Sequence, residues 1–178
     1  MAARSDSGAT HDVAASNQYL TFTLGHELFA LGILCVREII EYGRLTPVPM
    51  MPASILGVIN LRGAVVPVVD LRVRFGDSAT LIGQRTCIVI LEVSQPGATR
   101  VIGVVVDAVN AVLDIPEQDI EPVPSLGARI RTDFIQGMGK VDERLVVLLD
   151  VGKVLSVEDM ALLERAYQAD TAQPAGSE

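Results

Sequence analysis

The chain has 178 residues, 49% of them hydrophobic, enough for one domain or two small ones with a core that needs no disulfide scaffold. A formal net charge of −8, no Trp and only 4% aromatics argue against a nucleic-acid-binding face, which is usually basic. The two cysteines, Cys35 and Cys87, lie far apart inside apolar runs and read as small buried hydrophobes of a reducing compartment.

Residues 1–16 are small and polar and are expected to form a disordered tail. They contain no apolar stretch of signal-peptide length. No run approaches the roughly 18 apolar residues of a membrane span, so the expected setting is cytoplasmic, without membrane insertion. From Gln18 to Leu24 apolar Leu20, Phe22 and Leu24 alternate with Tyr19, Thr21 and Thr23, the pattern of a half-buried strand. Gly25-His26-Glu27 predicts a turn, Leu28–Leu31 a returning strand, and Cys35–Tyr42, rich in Val and Ile, a third. Thr46–Pro52 carries three prolines and predicts a rigid extended connection.

Ser54–Phe75 organises the chain. Its apolar runs at Val58-Ile59 and Val65-Val66 flank Asn60-Leu61-Arg62-Gly63, which predicts a tight turn. Pro67 implies an edge position or a bulge in the second strand. Asp70 is placed to cap one helical turn over Leu71–Phe75, stopped by Gly76. Thr86–Val93 and Val101–Val106 are nearly continuous apolar runs, expected as strands buried on both faces and linked as a hairpin through Ser94–Arg100. Ala108–Ile115 predicts a further strand, and Pro116–Ala128 an acidic loop. Near the end, Ser156 and Asp159 form a capping box that starts a helix over 156–168, with Met160, Leu163 and Tyr167 on one face. Residues 170–178 read as a second loose tail.

Phe134–Leu155 repeats the organising stretch. Ile55 meets Ile135, Gly57 meets Gly137, Val66 meets Val146 and Asp70 meets Asp150, all at one offset. Ala30–Ile39 matches Gly103–Val112 at a second, smaller offset. Two copies of a strand-rich unit predict an all-β protein of two small barrels, the second over roughly 85–155 and the first from the segments before it. The copies differ at the turn, where Arg62 faces Asp142. Turns drift freely, so the difference reads either as drift or as a device for a partner. Charge is also uneven: five arginines lie between Arg37 and Arg74, whereas Val101–Ala128 holds Asp107, Asp114, Glu117, Asp119 and Glu121 and no Lys or Arg.

Catalytic chemistry is sparsely provided. His11 lies in the tail and His26 in a turn, with nothing to place a nucleophile beside either. No CxxC or HExxH occurs, and Gly137-Met138-Gly139-Lys140 lacks the glycine spacing and the Ser or Thr of a phosphate loop. The expectation is no enzyme, no catalytic residue, no metal and no cofactor. Two barrels side by side would instead leave an apolar groove suited to a helical partner, with Val36, Val109 and Val112 either lining it or packing in the core.

Val36-x-Glu38-Ile39, Thr46-x-Val48-Pro49-x-x-Pro52, Ile55-x-Gly57-Val58-Ile59-Asn60-Leu61-Arg62-Gly63 and Val66-Pro67-Val68-Val69-Asp70-Leu71-Arg72 together resemble the CheW family of bacterial chemotaxis coupling proteins. Gly103–Asp107 and Ile135-x-Gly137-Met138-Gly139 match it in the second half. The resemblance spans about Gln18 to Ala166, so a CheW-like domain is expected over 17–169. It implies two five-stranded SH3-like β-barrels packed side by side around a shared apolar interface, with the C-terminal helix. It implies a non-enzymatic scaffold that couples the regulatory domain of the histidine kinase CheA to the cytoplasmic hairpin tips of chemoreceptors. The implied receptor groove comprises Val36, Glu38, Gly57, Arg62, Val109 and Val112. The implied kinase contacts are Ile40, Tyr42 and Val48 on the outer surface of the first barrel and Leu126 in the Glu121–Leu126 loop. Arg62 is expected to hold its turn in shape, through backbone carbonyls or an acid such as Glu38, and Gly57 to stay small so that a partner approaches closely. Two alternatives are a coupling protein of a related array serving pili or another output, and a barrel that binds a small ligand.

Overall fold

The computed structural model describes residues 17–76, 78–95, 97–122 and 134–153. The strands are β1 (Gln18–Leu24), β2 (Glu27–Gly32), β3 (Val36–Glu41), β4 (Ile55–Leu61), β5 (Ala64–Asp70), β6 (Cys87–Gln95), β7 (Ala98–Val106), β8 (Ala108–Asp114), β9 (Ile120–Glu121), β10 (Ile135–Val141) and β11 (Arg144–Leu149). One helical turn, α1 (Leu71–Arg74), follows β5. The Asp70 carboxylate accepts from the Arg72 N–H and caps it, as the sequence predicts. Helix 156–168 and both tails lie outside the described residues.

The strands form two mixed sheets. One is six-stranded in the order β8-β1-β2-β11-β10-β9, and the other five-stranded in the order β3-β6-β7-β5-β4. The expected five strands per barrel thus hold for one sheet. The other gains the two-residue β9, from a segment that the sequence places in a loop.

The repeat is real in three dimensions. Ile55 pairs with Val69 and Gly57 with Val68, a bulge between them; Ile135 pairs with Leu149 and Gly137 with Leu148, with the same bulge. Beyond each hairpin lies a parallel partner: Val68 faces Gly103, and Leu148 faces Ala30. Those partners come from the opposite copy. β6 and β7, beyond residue 85, belong to the sheet of β3–β5, and β1 and β2 belong with β8–β11. A boundary near residue 85 is therefore corrected: each copy donates its first hairpin to the other sheet. Similarity aligns equivalent positions but carries no information about which copy supplies the pairing partner.

Period-2 alternation explains the core. Leu20, Phe22, Phe29, Leu31, Val89, Leu91, Ile102, Val104, Val147 and Leu149 point between the sheets into one large cluster. Alternate residues point the other way. Tyr19, Ala30, Val146 and Leu148 form a cluster inside the curve of the first sheet, and Val66, Val68, Ile88, Ile90 and Val105 do so inside the second. Each sheet thus wraps its own interior and shares a third, which is the two-lobed layout the resemblance implies. Strands buried on both faces are the expected reading for β6 and β7, and Ile88 through Leu91 and Ile102 through Val106 are buried. Pro67 sits in a strand bonded on both sides, but the ladder to β7 begins only at Val68, so the missing N–H falls where β5 is still an edge. Cys35 lies in a 3-10 turn over Ile33–Cys35 rather than in β3, and both cysteines are half-buried and unpaired.

Candidate functional site

The outer strands β3 and β8 occupy equivalent edges of the two sheets. Both are bulged at the same place. Val36 and Glu38 face Leu91 and Ile90 with Arg37 as the extra residue, and Val109 and Ala111 face Phe22 and Thr21 with Asn110 as the extra residue. In β8 the Thr21 hydroxyl fills the bulge, donating to the Ala111 carbonyl at 2.7 Å and accepting its N–H at 3.1 Å.

These registers make Val36 equivalent to Val109 and Ile39 to Val112. All four pair across their strands with residues of the inter-sheet cluster: Leu91, Phe22, Val89 and Leu20. Val36 and Val109 are half-buried against that cluster, whereas Ile39 and Val112 are 41% and 49% exposed. Each edge therefore presents one seated and one exposed apolar side chain beside the seam between the sheets. The sequence reading found three of these and missed Ile39, although the offset that matches Gly103 to Ala30 also carries Val112 onto Ile39.

Glu38 and Ile40 alternate to the other face, toward the interior of the second sheet. Arg62 meets Glu38 there in an ion pair. Its backbone explains how. The loop between β4 and β5 has two central residues, Arg62 (φ 53°) and Gly63 (φ 88°), both left-handed, as a type I′ hairpin turn requires. The Asn60 side chain accepts the Gly63 N–H at 2.9 Å and fixes the turn. The second copy keeps the geometry with Asp142 (φ 51°) and Glu143 (φ 66°) but replaces the Glu38 equivalent by Ala111. Among the described residues neither Asp142 nor Glu143 forms an ion pair.

Gly57 is small for a reason inside the chain. A Cβ there would stand 2.4 Å from the Thr46 carbonyl oxygen and 2.9 Å from its carbon, on a backbone at φ 155°. Thr46 and Val58 exchange hydrogen bonds of 2.9 and 2.8 Å across this contact. The space is filled by the Thr46–Pro47 backbone, which corrects the expectation that it is kept for a partner. Ile40 and Tyr42 pack one side against the interior cluster of the second sheet and, like Val48, are half-buried. Leu126 lies outside the described residues. Glu121, at the start of the expected second kinase contact, pairs with Met138 in β9–β10 and bridges Lys140 at 3.1 Å.

Beside Val36, the Cys35 thiol donates to the Gly32 carbonyl at 3.0 Å, and burial pushes its pKa up to about 11. An open cleft elsewhere, between the β1–β2 turn and α1, is lined by Leu24, Phe29, Phe75 and Leu81 with Arg72 and Asp107. Its polar groups hold the fold: Asp107 accepts the Gly25 N–H at 2.6 Å, and Arg72 reaches the Ser78 hydroxyl at 3.3 Å.

A two-lobed all-β body, with paired apolar edges beside its seam and a charged hairpin tip, defines a protein-binding scaffold. The family profile of the CheW-like domain matches residues 18–159, and the chain belongs to that family. It is 39% identical over 152 residues to the chemotaxis protein CheW of Klebsiella aerogenes, covering 85% of this chain and 89% of the relative. It is 34% identical to the chemotaxis protein CheW of Rhizobium meliloti, covering 85% and 95%. The crystal structure of the scaffolding protein TtCheW from Thermoanaerobacter tengcongensis superposes with a TM-score of 0.73 at 33% identity, covering 81% of this chain and 90% of that one.

Proposed function

We propose that the protein is a non-enzymatic coupling scaffold that holds the regulatory domain of the kinase CheA to the cytoplasmic hairpin tips of chemoreceptors. In this reading it works in the cytoplasm and is recruited to receptor arrays. The observation that carries the reading is the pair of matched apolar edges, Val36 with Ile39 and Val109 with Val112, flanking the inter-sheet core. An amphipathic helix lays an apolar stripe along such edges. Arg62, held by Glu38, contributes its charge at one end. Gly57 supports the site indirectly, by letting Thr46–Pro47 close the lobe. On the kinase side, Ile40, Tyr42, Val48 and Leu126 are the contact positions.

Cosedimentation tests the reading. Receptor-bearing vesicles are expected to carry down the scaffold and CheA together, and CheA far less without the scaffold. CheA that pellets equally in both cases contradicts it. A second reading is a sister array with a different output. The chain is also 32% identical over 142 residues to the protein FrzA of Myxococcus xanthus, within the range of its relatives named chemotaxis protein. Cosedimentation with receptors of each array distinguishes the two.

A further inference from the structure

The two apolar edges are so nearly equivalent that they give a bound helix no direction. Val36 and Val109 sit against the same cluster, and Ile39 and Val112 are exposed to similar degrees. A helix turned end for end would find the same contacts. What differs is charge. The first lobe places the Glu38–Arg62 pair beside its two apolar positions, at a hairpin tip, locally neutral with an Arg62 side chain that is 69% exposed. The second lobe puts Ala111 and Asp142 at the matching positions, and Asp142 with Glu143 leaves two negative charges without an ion pair among the described residues.

We propose that this broken symmetry sets the polarity of the bound helix. The partner is an amphipathic helix with an apolar stripe, a basic residue at the end that meets Asp142 and Glu143, and an acidic residue or its C-terminal dipole end at Arg62. The Glu38–Arg62 pair is thus a specificity device for direction as well as a support for the turn. This inference rests on the receptor reading above.

The test uses the whole chain and a chemoreceptor hairpin-tip fragment carrying a nitroxide at one chosen end of the docking helix. Methyl spectra report which edge the label broadens, Ile39 and Val36 or Val112 and Val109. The wild-type chain is expected to favour one direction roughly threefold, the size of a single exposed ion pair. Glu38→Ala with Arg62→Asp and Glu143→Gly makes the lobes alike at these positions and, at fragment concentrations that saturate the weakened site, is expected to broaden both edges equally. Adding Ala111→Glu with Asp142→Arg moves the pair to the second lobe and is expected to reverse the wild-type pattern. All five positions are on strands or turns whose backbones tolerate the new residues, and native-like methyl dispersion confirms each fold. Equal broadening of both edges in the wild type, or an unchanged direction in the transferred variant, overturns the polarity proposal while leaving receptor binding intact. A fragment that does not bind the wild-type chain overturns the receptor reading itself, and the polarity with it.

Discussion

Gly57→Ala is expected to destabilise the fold by about 3 kcal/mol. The added Cβ meets the Thr46 carbonyl at 2.4 Å and the Pro47 Cα at 3.3 Å, and both are backbone, so no side chain can rotate away. Relief requires Thr46–Pro47 to move off β4, which breaks the two hydrogen bonds between Thr46 and Val58. Each is worth about 1 kcal/mol net, and a side chain forced to φ 155° adds about 1 kcal/mol more. In a chain of this size that lowers Tm by about 6–12 °C. Gly137→Ala is the internal control. Its Cβ meets the Ile120 Cγ2 at 2.8 Å and the Glu121 oxygen at 3.0 Å, and the first of these is a side-chain methyl that can shift. Its expected cost is about 1–2 kcal/mol. Urea unfolding followed by circular dichroism measures both. A Gly57→Ala chain within about 1 kcal/mol of wild type, or a Gly137→Ala chain that is less stable than it, refutes the reasoning. Because the defect is in the fold, Gly57→Asp is expected to lose receptor and kinase binding together.

Arg62→Ala is expected to leave stability within about 1 kcal/mol, since the ion pair is largely exposed, while receptor-fragment affinity falls; titration calorimetry beside a melting curve separates the two. Glu143→Gly is expected to stabilise by up to about 1 kcal/mol, because Glu143 holds φ 66° in an I′ turn, and Gly63→Ala to cost a similar amount from backbone strain alone, both read by urea unfolding. Asp70→Ala is expected to cost about 3 kcal/mol by the same measurement: this buried carboxylate accepts from the Arg72 N–H and from both the N–H and hydroxyl of Thr80, and the substitution orphans all three. In a Cys87→Ser chain, the rate at which a thiol reagent modifies native Cys35 is expected to keep rising toward pH 11, where an unperturbed thiol levels off near pH 9. The sign for stability follows. A thiol whose folded pKa is raised contributes below its unfolded pKa, and that contribution is lost as pH climbs from the unfolded value to about 11.

The repeat was legible because it is written in residues the backbone demands. Asp70 and Asp150 each accept an N–H two residues on, and Gly57 and Gly137 each stand where another segment crosses the strand. Nearly continuous apolar runs likewise exposed the two-sided burial of β6 and β7. The exchange of hairpins between lobes was not legible, because Val68 facing Gly103 and Leu148 facing Ala30 look alike in sequence whichever copy donates the partner. The inward packing of one side of Ile40 and Tyr42 was hidden by the bulge at Arg37, which resets the alternation along β3. Arg62 and Glu38 are 24 residues apart, and the sequence left the arginine's partner open between backbone carbonyls and an acid such as Glu38; the structure selects Glu38. Gly57 is a similar case: its need for space was legible, but the occupant of that space was not.

The central claim is that the matched edges beside the seam couple a receptor to a kinase. Val112 tests it most directly, because it is half exposed and can be changed to Asp without opening the core. Autophosphorylation of CheA is measured with receptor vesicles and either the wild-type chain or Val112→Asp, with melting curves for both. The expected result is receptor-dependent stimulation by wild type and its loss in an equally stable Val112→Asp chain. Full stimulation by that variant, or none by the wild type, contradicts the account.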